Sequence, residues 1–255
     1  MSDPRIVVGI PARMGSSRFP GKPLCDIQGK TMIEHCYKRC TFSNYTTELF
    51  VATCDKEIED VVNSFGGRVI MTDPNIQRPG LRVAAAAETL NLQDDDIVVV
   101  VQGDEPMVHP EMIDLAVKPL LDDNKLFVSN LANEVSQDEW TDPGEIKVVC
   151  DLNMNAMYMS RSPIPSIDHE EKRVNWWKQV CIMPFRWHFM KEFNHKLEPT
   201  PLEQQESIEM IRALQHGYSV RMVPSPFITK SVDTETDRLI VEDLMKNDPI
   251  FERYA

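Results

Sequence analysis

Residues 5–23 read RIVVGIPARMGSSRFPGKP and carry the clearest signal for the fold class. The first part, Arg5–Pro11, is a short run of mostly β-branched residues that ends at a glycine and a proline, so it predicts a buried strand. In the loop that follows, small residues leave the backbone N–H groups accessible; they are Gly15, Ser16 and Ser17. Three cations lie within ten residues of the same loop, at Arg13, Arg18 and Lys22. Backbone donors and clustered cations at the end of a first strand predict a cradle for a polyphosphate.

The net charge of the chain helps to interpret this basic loop. The motif is not a Walker A loop, because it lacks the GKS/T ending. The alternative to a phosphate cradle is a surface loop that happens to be basic. The chain has 40 acidic and 27 basic residues, a formal net charge of −13. Such a surface repels nucleic acid and anionic lipid, so we expect neither as a partner. An anionic ligand must be captured by a local cluster of cations, which favours the cradle.

The order of predicted strands and helices indicates the fold class. In the first half, strands are predicted at 49–53, 68–71 and 97–102, and helices at 31–40, 56–65, 83–90 and 111–121. This alternation predicts an α/β fold, with a mostly parallel central sheet and helices on both faces. In the second half, strands are predicted at 126–131, 146–151 and 220–223, and helices at 203–216 and 237–247. We therefore predict one domain over residues 1–255, with an excursion from the sheet around residues 150–190.

The excursion includes an aperiodic stretch rich in proline, arginine and tryptophan, residues 157–177. Trp176 and Trp177 are adjacent there, and two interpretations stay open for them. They are exposed side by side as a partner surface, or they pack internally.

Three features of the sequence bear on location. The longest apolar run, Ile97–Val101, is far shorter than the roughly 20 residues that a membrane helix needs. The N-terminus has no charged-then-apolar leader of the kind that marks a signal peptide. The six cysteines are scattered, and none forms a CxxC pair. We expect a cytoplasmic protein with reduced thiols and no membrane association.

Two acidic motifs predict a metal site. Gln102–Pro106 reads QGDEP and follows the most apolar strand, so Asp104 should project from the carboxyl end of the sheet, beside the basic loop. A carboxylate there suits a Mg²⁺ ion that bridges triphosphate oxygens, whereas a simple Gly-Asp turn is the alternative. Asp233, in SVDTETD at 231–237, either caps a helix or supplies a second metal carboxylate. Because Asp104 needs a partner, we predict the metal role for Asp233 and leave the cap to Thr234.

Five blocks of the sequence resemble, in order, those of the 3-deoxy-manno-octulosonate (Kdo) cytidylyltransferases, also called CMP-Kdo synthetases. They are PARMGSSRFPGKPL (11–24), VVVQGDEPM (99–107), KVVCDLNMNAMYMSRSPIP (147–165), PLEQQESIEMIRALQHG (201–217) and SVDTETD (231–237). The resemblance covers nearly the whole chain. The first two blocks together are highly specific, whereas the first alone is shared with the wider superfamily of acidic-sugar cytidylyltransferases.

The resemblance implies a glycosyltransferase-A-like nucleotidyltransferase fold and a homodimer, with contacts supplied by the region around SRSPIP. It also implies CTP, Mg²⁺ and a small acidic acceptor as ligands. Catalytic roles would fall to Arg13, Lys22 and Asp104, and metal binding to Asp104 and Asp233. The nucleotide-binding residues would be Arg13, Ser16, Arg18, Lys22, Arg82 and Gln102. The acceptor-binding residues would be Gln102, Arg161, Gln179, Glu206, Glu209 and Met210.

Several positions depart from the family pattern. A segment that usually reads His-x-Ser-Gly-Thr-Asp-Arg is IQRPGLR here, residues 76–82, and only Arg82 is kept. In a strand similar to RHIGIYAYR, Gln179 replaces a histidine, and Met183 and Phe185 replace tyrosines. In an LEQLR-like helix, Met210 replaces a glutamine. A pocket that lacks these polar groups should favour a deoxy or amino variant of the sugar, a smaller acid or a phosphonate.

These observations together predict a CTP-dependent cytidylyltransferase that makes a CMP-sugar and pyrophosphate for polysaccharide biosynthesis. The acceptor would be a Kdo-like or modified 3-deoxy-2-ulosonic acid, or a smaller acid or phosphonate. Two other interpretations stay open: a catalytically silent nucleotide-binding relative, and an enzyme that uses another nucleotide. The presence of both Asp104 and Asp233 favours an active enzyme, because a silent relative needs no metal carboxylates.

Overall fold

The structure is a computed structural model that describes residues 3–16, 18–166 and 175–255. Ser17 and residues 167–174 of the predicted excursion lie outside the described residues. The strands are β1 (Ile6–Pro11), β2 (Asp26–Ile27), β3 (Lys30–Thr31), β4 (Glu48–Thr53), β5 (Val69–Met71), β6 (Ile97–Val101), β7 (Ser129–Glu134), β8 (Lys147–Cys150), β9 (Ala156–Ser160), β10 (Trp177–Val180), β11 (Ile182–Arg186) and β12 (Arg221–Pro224).

The α-helices connect these strands. They are α1 (Met32–Cys40), α2 (Lys56–Ser64), α3 (Pro79–Ala87), α4 (Pro110–Asp122), α5 (Gln137–Thr141), α6 (Trp187–His195), α7 (Pro201–Glu206), α8 (Met210–Gln215) and α9 (Glu235–Met245). Within the described part of the chain, no helix is long and apolar enough to cross a membrane.

The contacts divide the chain into two compact units. The first comprises residues 1–114 and 229–255, and the second comprises residues 115–228. The single-domain organisation expected from the sequence stays a prediction. The second unit begins well before the region 150–190 where we expected the excursion. The excursion also stays a prediction.

The first unit is built on parallel strands in the order β6–β1–β4–β5. Val8 in β1 lies between Leu49 of β4 and Val99 of β6. Every residue of β1 and β6 is buried. A parallel strand buried on both faces needs helices on both sides of the sheet, so the predicted α/β fold is confirmed.

The second unit holds a mixed sheet in the order β12–β7–β10–β8–β9. β12 runs parallel to β7, whereas the other pairs are antiparallel. Helix α6 contributes Phe189 and Phe193, which pack with Phe185 of β11 into an aromatic cluster. A buried ion pair between Arg212 and Glu203 is held by two hydrogen bonds, which satisfies both charges inside the unit.

Some predicted elements differ from the structure. The single helix predicted at 203–216 is two helices, α7 and α8, because Ser207 takes a left-handed backbone with φ of 56°. Helix α3 begins at Pro79 rather than at 83, since proline at the first helical position is compatible with a helix. Helix α6 was not predicted. Trp176 stacks on Trp140, with ring centroids 5.2 Å apart, which favours the internal-packing interpretation for this residue.

The C-terminal residues are fixed to α1 by a chain of hydrogen bonds. Arg39 Nε donates to the Tyr254 hydroxyl oxygen at 3.1 Å, and that hydroxyl donates to His35 Nδ1 at 2.8 Å. His35 Nε2 lies 2.7 Å from the Ile27 carbonyl oxygen, which only accepts, so Nε2 carries the proton. Arg39 also pairs with Asp248. Burial lowers the His35 pKa to about 4, so the imidazole is neutral at pH 7 and its Nδ1 accepts from the Tyr254 hydroxyl.

We predict that stability depends on pH through His35. The pKa of this imidazole is lower in the folded chain than its ordinary value of 6.5, so the unfolded chain binds the proton more readily. The stabilisation is fully present above pH 6.5 and is lost as the pH falls to about 4, by roughly 3 kcal/mol. Chemical denaturation of wild type and His35→Gln at pH 7, 6, 5 and 4 measures this, and the variant should have the flatter profile. Parallel profiles for the two proteins would show that His35 is not responsible.

Candidate active site

One cavity of about 420 Å³ lies at the carboxyl ends of β1 and β6 in the first unit. Its walls include every residue predicted from the sequence to bind nucleotide or metal: Arg13, Ser16, Arg18, Lys22, Arg82, Gln102, Asp104 and Asp233. Ligands of parallel α/β sheets bind at this end of the strands, and a cavity of this size suits a small molecule. The structure thus brings the predicted residues together, and their individual roles stay predictions.

Two glycines fix the backbone of the two motifs that contribute to this cavity. At Gly103, an added Cβ would lie 2.7 Å from the Pro11 carbonyl oxygen, so only glycine lets the end of β6 pass this close to the end of β1. At Gly21, the left-handed φ of 73° turns the basic loop into a short 3₁₀ helix at Lys22–Leu24. The loop is also closed on itself, because Gly21 N donates to the Met14 carbonyl oxygen at 3.1 Å.

Asp104 and Asp233 come from distant parts of the sequence and meet on one ammonium group. Lys22 Nζ lies 2.8 Å from Asp104 Oδ2 and 3.0 Å from Asp233 Oδ1. The two segments are also joined by their backbones, since Val232 N donates to the Asp104 carbonyl oxygen at 2.9 Å. Helix α9 is capped by Thr234, whose hydroxyl accepts from Asp237 N. The cap is therefore where we predicted it, and Asp233 does not serve as the cap.

The charges around this pair are balanced. Arg18 contacts the second oxygen of Asp233, at 3.0 Å, so two cations face two carboxylates. Burial by itself lowers the pKa of Lys22, but the charges of Asp104 and Asp233 and their hydrogen bonds outweigh it, and the pKa is raised. Lys22 is therefore a permanent cation at neutral pH.

Two further arginines line the cavity in different ways. Arg13 donates to Gln77 Oε1 at 2.7 Å and is exposed, so its guanidinium can reach a ligand. Arg82 is buried, and it donates to Thr72 Oγ1 and to the Ile76 carbonyl oxygen, both at 2.5 Å. Arg82 thus holds the divergent segment 76–82 in place, and Gln77 of that segment orients Arg13.

A metal ion bound to Asp104 and Asp233 would have to take most of its ligands from waters and substrate phosphates. Among the described residues, no group of three or more acidic, histidine or cysteine side chains is arranged to hold a metal. Asp104 and Asp233 offer hard carboxylate oxygens beside a cationic cavity. This donor set fits Mg²⁺, which is bound in proteins through one or two carboxylates together with waters and substrate phosphates.

The residues predicted to bind only the acceptor all lie in the second unit. Glu206 accepts from Ser160 Oγ at 2.7 Å and from Arg161 N at 2.9 Å, and Arg161 Nε donates to the Glu206 carbonyl oxygen at 3.0 Å. Gln179 donates to the buried Asn130 Oδ1 at 2.5 Å. Met210 is buried at the start of α8, directly after Glu209. Arg161 and Glu206 thus brace each other, and binding roles for this group stay predictions.

Sequence reasoning missed several residues that support the cavity. Gln77 orients Arg13, and Asp55 Oδ2 accepts from Met14 N at 2.7 Å, which fixes the basic loop. Thr229 Oγ1 donates to Glu105 Oε2 at 2.6 Å, which ties the Asp233 segment to the QGDEP turn. Asp55 was detectable as an N-cap residue between β4 and α2. The other two contacts join residues far apart in sequence, and no local pattern indicates them.

The parallel sheet and the cavity of cations and carboxylates define an α/β protein of the nucleotidyltransferase type. The cytidylyltransferase family matches residues 7–222, and the chain belongs to this family. It is 40% identical to the 3-deoxy-manno-octulosonate cytidylyltransferase of Syntrophus aciditrophicus (strain SB), over 94% of this chain and 97% of that protein. It is 39% identical to the 8-amino-3,8-dideoxy-manno-octulosonate cytidylyltransferase of Shewanella loihica (strain ATCC BAA-1088 / PV-4), over 91% and 95% of the two chains.

A solved structure supports the same family assignment. It is that of CMP:2-keto-3-deoxy-manno-octonic acid synthetase complexed with CTP. Its TM-score is 0.89 at 35% identity, over 95% of this chain and 98% of that one. The glycosyltransferase-A-like nucleotidyltransferase fold implied by the sequence is therefore confirmed.

We predict that Gly103→Ala destabilises the protein and weakens CTP binding. The new methyl group would overlap the Pro11 carbonyl oxygen, and the cost of such overpacking is about 1–3 kcal/mol. Thermal unfolding, with and without CTP, measures both effects. For stability, Gly15→Ala is the control, because an added Cβ there meets nothing within 4 Å. Equal melting temperatures for Gly103→Ala and wild type would contradict the packing described for the two strand ends.

Proposed function

We propose that this protein transfers CMP from CTP to an acidic sugar of the 3-deoxy-manno-octulosonate type and releases pyrophosphate. The observation that carries the proposal is the meeting of Asp104 and Asp233 on Lys22, inside a cavity that Arg13 and Arg18 also line. Relatives that match nearly the whole chain support it, since they are cytidylyltransferases for this sugar or its 8-amino form.

At the α-phosphorus, the reaction makes one bond and breaks one. A hydroxyl oxygen of the acceptor attacks the α-phosphorus of CTP, and the bond from that phosphorus to the bridging oxygen of the β-phosphate breaks in line. The O–H bond of the acceptor also breaks, its proton passes to solvent water, and pyrophosphate leaves. Such a reaction is accelerated mainly by positioning and by neutralising charge on the phosphates.

The residues of the first unit have the chemistry for these tasks. Arg13 is exposed and oriented by Gln77, so it can hold phosphate oxygens and the charge that develops on the leaving group. Lys22 and Arg18 would add charge along the triphosphate. Backbone N–H groups near Gly15 and Ser16 would complete the cradle, as in other phosphate-binding loops.

Mg²⁺ is part of the proposal. Asp104 and Asp233 would hold it, and when bound it would polarise the α-phosphate and lower the pKa of the acceptor hydroxyl. No histidine base is then required.

The acceptor has a second candidate, the 8-amino-3,8-dideoxy form of the sugar. Relatives that act on the two forms match this chain almost equally, at 40% and 39% identity. Gln179, Met183 and Met210 stand where the family carries histidine, tyrosine and glutamine. The two methionines offer no hydrogen bond to a sugar hydroxyl, which should favour an acceptor with an altered hydroxyl pattern.

A homodimer in the cytoplasm completes the proposal. The β8–β9 hairpin carries two exposed apolar side chains, Leu152 and Met157, with exposed fractions of 104% and 66%. Large apolar side chains exposed on one hairpin favour a protein interface. No disulfide joins any of the six cysteines, all of which lie in the described part of the chain, and this suits a reducing compartment.

We predict that turnover requires both carboxylates. Asp104→Asn and Asp233→Asn should each lower kcat by at least about 100-fold, because the amide cannot replace a charged metal ligand. Pyrophosphate release from CTP, Mg²⁺ and a panel of 3-deoxy-manno-octulosonate, its 8-amino form and a phosphonate measures this. Asp243→Asn is the control, since that aspartate is exposed on α9 and pairs with Lys246. Wild-type activity in Asp104→Asn, or no pyrophosphate with any acceptor, would contradict the proposal.

We predict that the wild-type protein is a dimer in solution and that Leu152→Glu combined with Met157→Glu makes it a monomer. The charged side chains would be buried without partners at an interface formed by the hairpin. Size-exclusion chromatography with light scattering gives the mass. Leu239→Glu, on the exposed face of α9, should leave the mass unchanged. A dimeric double variant would exclude the hairpin as the contact, and a monomeric wild type would exclude the dimer.

A further inference from the structure

We infer that Lys22 is an internal counter-ion that competes with a divalent cation for Asp104 and Asp233, and that CTP binding removes this competition. The inference rests on the proposed function, because it concerns the same carboxylates. It adds a role for Lys22 besides contact with phosphate, and it predicts that nucleotide and metal bind cooperatively.

The geometry of the ammonium group is the starting point. Lys22 Nζ lies within 3.2 Å of three acceptors: Asp104 Oδ2 at 2.8 Å, Asp233 Oδ1 at 3.0 Å and the Val232 carbonyl oxygen at 3.2 Å. An ammonium has three N–H donors, so all of them are used. The side chain is only 15% exposed. In this arrangement, Lys22 has no donor left for a phosphate.

The same arrangement blocks the carboxylates. A metal ion that binds both carboxylates needs oxygens that face each other, and Lys22 Nζ lies in that place. Arg18 occupies the second oxygen of Asp233 at 3.0 Å. Two like charges a few ångströms apart repel strongly, so a divalent cation binds these carboxylates weakly while the ammonium group is bound to them. The cation binds tightly only when Lys22 leaves.

A triphosphate offers Lys22 other hydrogen-bond acceptors. Lys22, Arg18 and Arg13 line one cavity, and a lysine side chain has a flexible four-carbon stem that lets its ammonium change partners. When the phosphates take the hydrogen bonds of Lys22 and Arg18, the carboxylates lose their counter-ions and become strong metal ligands. In this exchange, Lys22 moves from the two carboxylates to the phosphates, and the divalent cation takes its place on the carboxylates. Each charged group therefore keeps a partner of opposite charge.

Thermodynamic linkage then relates the affinity for CTP to the affinity for metal. If CTP raises the affinity for metal by releasing the carboxylates, metal must raise the affinity for CTP by the same factor. Removing the ammonium should strengthen metal binding to the protein alone and weaken this coupling. A lysine that merely stabilises the loop would do neither.

The test uses Mn²⁺ as the probe and measures free Mn²⁺ by electron paramagnetic resonance. We expect Lys22→Met to bind Mn²⁺ at least about 10-fold more tightly than wild type without nucleotide, a factor typical of such coupling. With CTP, the gain in Mn²⁺ affinity should be smaller for Lys22→Met than for wild type. Association of Mn²⁺ with CTP in solution is the same for every variant, so it cancels from the comparison.

A matched control is available in the same unit. Lys56 Nζ also lies near two carboxylates, Glu59 at 2.9 Å and Asp60 at 2.8 Å, but on the exposed face of α2. Lys56→Met should bind Mn²⁺ like wild type. Lys22→Gln, which keeps hydrogen bonding without charge, serves as the second variant in case Lys22→Met does not fold.

The outcomes separate this inference from the proposed metal site. Equal or weaker Mn²⁺ binding by both Lys22 variants overturns the inference, and the metal site stands if Asp104→Asn still abolishes the binding that wild type has. If neither wild type nor the Lys22 variants bind Mn²⁺, with or without CTP, both the inference and the metal site are wrong. Tighter binding in the Lys22 variants, lost again when Asp104→Asn is added, supports both.

Discussion

The parallel pairing of β1 with β6 is the constraint on which the rest of the site depends. It sets Val7 beside Val98 and Val8 beside Val99, so the two strands end together although about ninety residues separate them. The chain leaves β1 into a loop of cations and leaves β6 into a turn with a carboxylate. Gly103 makes the approach close, because any side chain there would meet the backbone of β1. Opposite charges thus face each other as a result of apolar strand packing.

The C-terminal segment completes this arrangement. Val232 donates its N–H to the carbonyl oxygen of Asp104, and Thr229 donates to Glu105. Beyond α9, Tyr254 closes onto His35 and Arg39 of α1. Cys36 of the same helix contacts the Gly103 carbonyl oxygen. Helix α1 therefore connects Tyr254 with the turn that carries Asp104. Residues 229–255 therefore act as part of the site as well as part of the core.

Much of this could be predicted from the sequence. The strand at 6–11 and the strand at 97–101 are continuous apolar runs, and glycine, proline and charge follow each one, so both their type and their ends are encoded locally. The cap at Thr234 was predictable because Thr234 and Asp237 form a capping box, which satisfies backbone donors with two local side chains. The cavity residues followed because parallel strands bring their carboxyl ends to one edge.

Other features depend on contacts that no local pattern contains. The break at Ser207 divides a segment with good helical periodicity, and tertiary packing decides it. The role of Gln77 arises from contact with Arg13, sixty-four positions away in sequence, and from the hold of Arg82 on the Ile76 carbonyl oxygen. Lys22 was predictable as a cation near phosphate, but its three-way contact with both aspartates depends on where the C-terminal segment lies. The sequence alone could not predict these contacts between residues far apart in the chain.

The cations after β1 and the two carboxylates should together hold a metal–triphosphate complex. A crystal structure with CTP and Mg²⁺ would show whether they do. We expect the triphosphate in the cavity against Arg13 and Lys22, with Asp104 and Asp233 on the metal. A triphosphate bound elsewhere, or a metal that contacts neither aspartate, would contradict it.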